Sequence, residues 1–396
     1  MKKITSALAL AALLGVPAAQ AEVDFGGDFD VRGYSVQTGD SPRERTQGYD
    51  QRIRVRAHFK NDDGIQVHTR LVLSDRNWTG DGIAGPAGPY TNTGRDTVSL
   101  DYGFVQIPML GGIVRVGRQE ANWNNHLLTS DDRRDRISFI KPMGGTTLVL
   151  LTDKRVEGAL GNTQDDGDLY AAAAVGSAGG LSWGALLAYF DGHEDTAWLH
   201  EVMAFSPWVS GTVGPVTLTG GFNLLWGGDK GQFFGDTPGF TDDGSLSAYL
   251  RGALDVGPVK VEAQYVGTRD GGLVGGGFDT FSSLINNSPD NNQSATSVYA
   301  IGGLGQEDVD RDVIALRVTG NVTDKLKLVG AVGYIDVDNG AAGDDSSEFA
   351  DLQAHYQVAP STTVWATAGM LGENDQIANA ATEDAYAFSV NLKTNF

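Results

Sequence analysis

The chain ends in Tyr386-Ala387-Phe388-Ser389-Val390-Asn391-Leu392-Lys393-Thr394-Asn395-Phe396, and this stretch decides the fold. Tyr386, Phe388, Val390, Leu392 and Phe396 fall on one face of an extended chain, while Ala387, Ser389, Asn391 and Lys393 fall on the other. Side chains flip at every residue of a strand, so one face meets oil and the other meets water. That places the chain in a membrane even though no apolar run after the first residues reaches the roughly 20 residues of a spanning helix.

A strand of this kind with a terminal Phe resembles the closing strand of a bacterial outer-membrane β-barrel. The amino terminus agrees with export. Lys2 and Lys3 precede a mostly apolar stretch from Ile4 to Val16, and Ala19-Gln20-Ala21 has the small-x-small form of a cleavage site. Residues 1–21 are therefore expected to be a removed signal peptide, leaving 22–396 as the barrel.

Working back from the carboxy terminus, the same period recurs with no helical periodicity longer than a turn or two. Up-strands are expected near 23–37, 64–74, 112–119, 146–155, 181–191, 216–227, 259–269, 325–337 and 361–371. Down-strands are expected near 49–60, 97–108, 135–142, 168–177, 198–212, 245–256, 309–321, 348–359 and 385–396. The fold class is all-β, a transmembrane antiparallel up-and-down barrel of 16–18 strands with eighteen favoured. An even count puts both termini on the periplasmic side. Connections alternate between tight turns such as Asn61-Asp62-Asp63-Gly64 or Gly257-Pro258 and long polar loops at 75–96, 228–244 and 270–308. Pro207 is the misfit, because proline cannot donate inside a sheet and marks a bulge or an early turn. Trp183, Tyr189, Trp226, Tyr249, Tyr265, Tyr334, Tyr356, Trp365 and Tyr386 are compatible with aromatic girdles at the membrane surfaces, and equally with plain strand propensity.

The formal charge is −21, and two units more negative without Lys2 and Lys3. Such an acidic balance argues against nucleic acid, which takes basic patches. Cysteine is absent, so neither disulfides nor thiol chemistry are available.

Candidate function lies on the second strand. Arg52, Arg54, Arg56 and His58 share one face opposite Ile53, Val55, Ala57 and Phe59. An Arg on the lipid side would cost about 2–4 kcal/mol at the midplane, so these side chains belong in the lumen. His68 and Arg70 continue the pattern on the next strand, while Asp24, Asp28 and Asp30 of the first strand supply nearby carboxylates. Two outcomes follow: a satisfied ion-pair network that stiffens the wall, or a basic ladder that holds passing anions, since rings of Arg and Lys favour anions in pores. Arginine outnumbers acid locally, which favours the ladder. A second concentration comes next: Arg115, Arg118 and Glu120, then Trp123 and His126, then Asp131-Asp132-Arg133-Arg134-Asp135-Arg136. Folded inward, it narrows the pore with fixed charges; left outside, it is a solvated salt-bridge patch.

Gly117-Arg118-Gln119, the polar aromatic loop and the Arg-led strand from Arg133 to Ile137 resemble the alginate-export type of barrel. The resemblance covers about residues 45–160 and implies an arginine-lined channel for acidic carbohydrate or other small anions. A general porin and a carboxylate channel stay equally open. Other motifs point elsewhere: His193-Glu194-Asp195 with His200 suggests a rim hydrolase but lacks a nucleophile–base–orienter set. The acidic run from Asp336 to Glu348 suggests calcium, yet Gly340 stands one position early for the hand-type loop.

The expectation is a non-enzymatic outer-membrane porin for passive diffusion of small hydrophilic solutes, without cofactor. Its pore-lining residues would be Arg52, Arg54, Arg56, His58, His68, Arg70, Arg115, Arg118, Arg133, Arg134 and Arg136. Its partners are outer-membrane lipid, lipopolysaccharide and the solute, with a homo-oligomer left open. A rim hydrolase and a structural barrel with a plugged lumen are the alternatives.

Overall fold

The structure, a computed structural model, describes residues 21–38, 45–78, 98–157, 166–192, 199–228, 244–286, 296–304, 306, 308–377, 380 and 383–396. Among these, eighteen strands form one sheet. They are β1 (Ala21–Gln37), β2 (Arg45–Asn61), β3 (Gln66–Asn77), β4 (Ser99–Met109), β5 (Gly112–Trp123) and β6 (Thr129–Met143). Then come β7 (Thr146–Val156), β8 (Gly167–Ala178), β9 (Leu181–Gly192), β10 (Val202–Val213), β11 (Val216–Gly227) and β12 (Ser245–Val256). The last are β13 (Val259–Arg269), β14 (Asp310–Asn321), β15 (Leu326–Asp338), β16 (Asp344–Ala359), β17 (Thr362–Leu371) and β18 (Ala385–Asn395).

Each strand pairs antiparallel with its neighbours in sequence, and β1 also pairs with β18, closing the sheet on itself. The seam sets Asp30 opposite Lys393 and Val31 opposite Leu392, so the face alternation of the last strand continues into the first. Gly27 and Phe396 exchange both backbone hydrogen bonds at 2.9 and 3.0 Å, which locks the terminal residue into the seam. Closure leaves no edge, and every strand finds its backbone partners without water, as a bilayer requires.

Alternation sorts the side chains. Leu352, Leu250, Ile314 and Phe388 are half or more exposed on the outside, where lipid would cover them. Ser389 and Gln353, one position from Phe388 and Leu352, are buried on the inside, as are Asn391 on β18 and Glu262 on β13. Two of the girdle aromatics belong to the inner face. Tyr249 packs edge-on to Phe278 at 5.2 Å, and Trp365 stacks on His355 at 5.9 Å, each on the parity of inward neighbours. Tyr386, Tyr356, Tyr334 and Tyr265 face outward.

Candidate functional site

The wall of β1–β4 carries the charged side chains picked out in the sequence. Register puts Asp28 opposite Arg54 and Asp30 opposite Arg52. Arg54 Nε lies 3.0 Å from Asp28 Oδ2 and Arg52 Nη2 lies 3.2 Å from Asp30 Oδ2. A bulge between Arg70 and Leu71 in the β3–β4 pairing turns Asp101 inward beside Tyr102. Asp101 then meets three guanidinium groups: Arg70, Arg54 at 3.8 Å and Arg133 at 2.6 Å. Its carboxylate is the hub of the wall.

Lower on the same wall the rings stack. His58 and His68 lie 4.3 Å apart and His68 and Phe104 lie 4.8 Å apart, with Gln66 Oε1 within 3.1 Å of both imidazoles. Arg115 caps this column, its guanidinium 5.4 Å from the Phe104 ring and its Nε donating to Gln106 Oε1 at 2.8 Å. Arg56 and Arg115 have no carboxylate partner among the described residues.

The second concentration folds inward. The β4–β5 ladder stops at Gly103 opposite Arg118, whereas β5 and β6 continue pairing to Trp123 and Thr129. Gly117 allows the departure: its φ is +125°, and a Cβ there would collide with the Gly103 carbonyl. From Glu120 on, both faces of the hairpin meet lumenal groups. Glu120 Oε2 is 2.7 Å from Arg70 Nη2 on one side, while Asp132 pairs with Arg136 and Arg155 at 3.3 and 3.2 Å on the other. The tip crosses to the far wall, where Trp123 Nε1 donates to the Ser206 carbonyl at 2.8 Å. Asn124 Nδ2 donates there to Ser206 Oγ at 3.0 Å and to the Phe222 carbonyl at 3.1 Å. Burial holds the His126 imidazole below its ordinary value against the pull of Asp131, Glu120 and Asp279, and its Nδ1 lies 3.0 Å from Ser130 Oγ.

Residues 270–286 and 296–304, between β13 and β14, fold in as well. Gly275 N–H donates to the Leu127 carbonyl at 2.7 Å, so the segment rests on the hairpin tip. Asp279 is its anchor: Oδ2 lies 2.7 Å from Arg317 Nη1, and its backbone carbonyl accepts from Gln264 at 2.8 Å and Arg251 at 3.1 Å. Phe281 lies under both arginines, 3.9 Å from Arg317 and 4.9 Å from Arg251. Phe278, Leu284, Ile285 and Ile301 are fully buried against Val266, Val313 and Ile335 of the inner wall. Desolvation alone would raise the Asp279 carboxyl, but Arg317, Arg251 and the Phe281 N–H outweigh it and hold it below the usual range.

Ten of the eleven arginines and histidines picked out in the sequence thus lie on the lumenal side. Arg118 does not. It shares the outward face of β5 with Val116, which is 43% exposed, and its cross-strand neighbour Asp135 shares a face with Ile137. The expected local excess of arginine also closes on itself. Arg52, Arg54, Arg70, Arg133, Arg134 and Arg136 all carry ion pairs, with Asp28, Asp30, Glu120 and Asp132 joined by Asp101 and Asp153, two acids not counted in the sequence. Asp101, Asp153 and Arg155 were missed there; Asp153 and Arg155 share the inward parity of β7 with Leu151, and that parity was the available signal, whereas Asp101 turns inward only through the bulge. His193, Glu194 and Asp195 lie outside the described residues, and His200 Nδ1 sits against the Gly192 carbonyl. No cluster fit to hold a metal occurs among the described residues, the acidic run from Asp336 to Glu348 included.

No family model matches the sequence, and no curated protein matches it. Solved structures do. OccK9 (OpdG) of Pseudomonas aeruginosa superposes with a TM-score of 0.63 at 13% identity, over 95% of this chain and 98% of its own. OccAB2 of Acinetobacter baumannii gives 0.62 at 11% identity, over 94% and 98%. OpdK of Pseudomonas aeruginosa, solved with vanillate, gives 0.62 at 12% identity, again over 94% and 98%. At such identities the likeness is one of fold, and the fold is that of outer-membrane porins. The chain is a closed, eighteen-stranded antiparallel β-barrel with the fold of bacterial outer-membrane channels.

Proposed function

We propose that this barrel is a channel for passive diffusion of small hydrophilic solutes, with selection made at a narrowing rather than along the whole wall. The observation that carries the proposal is the convergence of two inward pieces, the β5–β6 hairpin and residues 270–286, on one another at the Gly275–Leu127 contact. They leave a polar passage along β1–β5 instead of an open bore. Residues 1–21 would be removed on export, and lipid with lipopolysaccharide would surround the rest.

Within that passage the paired arginines stiffen the wall and fix the hairpin. The cations of this wall without a carboxylate partner among the described residues are Arg56, Lys60 and Arg115, with His58 and His68 among them. Rings of such groups favour anions, and the contacts stay weak enough to release the solute. An acidic carbohydrate, as the alginate-export resemblance implied, is the narrower form of the proposal. The outward turn of Arg118 and the ion pairs of Arg133, Arg134 and Arg136 weigh against it. Reversal potentials in a salt gradient across a planar bilayer test the reading. The wild type should favour anions, and Arg56→Glu with Arg115→Glu should swing it toward cations. A silent protein, or one already strongly cation-selective, rejects it.

A further inference from the structure

The inner face of β7–β10 is apolar where a water-filled lumen calls for polar side chains. Leu151, Leu169, Ala171, Leu186, Ala188 and Phe190 all point inward by register. Leu150, Tyr170 and Leu187 on the outer face of the same strands are more than 40% exposed. These strands are therefore apolar on both sides, which lipid contact alone does not require. The crossing hairpin, together with Leu273 and Leu304, roofs this wall without filling the space beneath. A cavity of about 310 Å³ remains, twice the roughly 150 Å³ of an apolar cavity that accepts benzene.

The rim of the cavity is ionic but carries no net charge. Its charged lining groups are Arg115, Arg136 and Arg155 against Glu120, Asp132 and Asp153. They are engaged with one another or with the wall. Arg136 meets Asp153 at 2.7 Å, Arg155 meets Asp153 at 2.8 Å and Asp132 at 3.2 Å, and Glu120 meets Arg70 at 2.7 Å. Arg115 is turned to Gln106 and Phe104. An ionised solute would have to break one of these pairs, draw Arg115 away from Gln106 and the Phe104 ring, or lie unpaired over leucine and alanine. A neutral ring or branched hydrocarbon only has to displace water from apolar walls.

We propose that this cavity binds an uncharged solute with an aromatic or branched hydrocarbon body and a hydroxyl-type polar group. The body lies on Ala171, Ala188 and Phe190, and the hydroxyl bonds to the ion-paired rim. This goes beyond the anion-leaning passage along β1–β5, and equilibrium binding does not depend on conduction.

Fluorine NMR of para-fluorobenzyl alcohol and para-fluorobenzoate against the full barrel in detergent tests it, with partition into protein-free micelles subtracted. The alcohol should bind at least about tenfold more tightly than the benzoate, the ratio that 1.4 kcal/mol sets. Ala171→Phe and Ala188→Phe, checked for intact strand content by circular dichroism, should abolish alcohol binding by filling the space. Benzoate binding as tight as the alcohol overturns the neutral class. Alcohol binding unchanged in both folded variants overturns the site. A wild-type crystal soaked with para-bromobenzyl alcohol serves if neither variant folds. A bromine anomalous peak between Phe190 and Leu273 supports the proposal, and its absence from that position overturns it.

Discussion

The side-chain amide of Asn124 donates to the carbonyl of Pro207, 3.3 Å away on the wall opposite the strand that carries it. β10 and β11 keep one register on both sides of this point, from Phe205 opposite Leu224 to Trp208 opposite Gly221, yet no rungs join them at Ser206 and Pro207. Proline has no N–H to give the ladder. Asn124 occupies the opening and satisfies the Phe222 carbonyl too, at 3.1 Å. Gly221 makes room, since a Cβ there would run into Asn124 Oδ1. Pro207, the misfit of the sequence reading, thus sits inside β10 opposite Ala185 of β9 and is the landing site of the hairpin that narrows the pore.

Removing that latch should widen the channel. Asn124→Ala leaves the Pro207 and Phe222 carbonyls without their donor, a local loss of about 1–3 kcal/mol. Gly221→Val should do the same from the opposite wall by occupying the amide's space. Single-channel recording should show higher and noisier conductance in both variants with the strand content unchanged. Wild-type conductance in both would mean that the hairpin holds its place without the latch.

The second inward segment is held by charge, so its docking should depend on acid. The Asp279 carboxyl is depressed below its ordinary 3.8 by Arg317 and Arg251 despite burial. A carboxyl with a lowered folded value contributes stability that is present above its unfolded value and lost as pH falls through the folded one. Docking should therefore hold at pH 5 and above, and release only below about pH 3.8. Limited proteolysis by pepsin across that window should show cleavage within 270–304 appearing at the acid end. Asp279→Asn, which takes the carboxylate from Arg251 and one of two from Arg317 while Glu262 still pairs Arg317, should loosen the segment at neutral pH at a cost of about 2 kcal/mol.

Neighbouring arginines on β2 should answer differently to the same change. Arg54 is 3.0 Å from Asp28 and 3.8 Å from Asp101, so Arg54→Glu places a third carboxylate among two and should lower the unfolding midpoint. The lost charge-assisted bonds alone contribute about 2 kcal/mol. Arg56, one rung lower and half-exposed, meets no acid among the described residues. Arg56→Glu should leave the midpoint within about 0.5 kcal/mol of wild type and act on ion selectivity alone. Guanidinium melts paired with reversal potentials separate the two. Equal destabilisation would show that Arg56 is structural after all.

The fold was legible because the membrane imposes one rule on every strand. A period of two with an oily face survives even where the opposite face varies, as Tyr386 to Phe396 shows. The inward position of Arg52, Arg54 and Arg70 followed from the same rule, since charge cannot face lipid cheaply. What the residues are paired with did not follow. Asp101 reaches three arginines only because a bulge at Arg70–Leu71 turns it inward, and a bulge leaves no mark on alternation that one strand alone can show. Arg118 was misplaced for a related reason: the motif was taken as a unit, while parity with Val114 and Val116 assigns it outward. The apolar inner wall of β7–β9 was present as unbroken runs such as Leu148 to Leu151 and Ala171 to Val175. Those runs look like strong membrane strands, and only the roof over them shows that their inner face is a cavity.

The lipid face itself gives the sharpest test of the barrel, because its cost depends on depth. Leu352, at the middle of β16, is 61% exposed on the outside, and Val358, close to its periplasmic end, is 51% exposed on the same face. Arg at the midplane of a barrel costs about 2–4 kcal/mol, falling to about 0–1 near the interface, where the side chain reaches headgroups and water. Leu352→Arg should therefore lower stability by several times as much as Val358→Arg. Equilibrium guanidinium unfolding in phosphatidylcholine vesicles, followed by tryptophan emission, measures both. If the two penalties are equal, depth is irrelevant and the strand does not cross a bilayer. If Leu352→Arg is free, its side chain is in water, and the assignment of inside and outside is reversed.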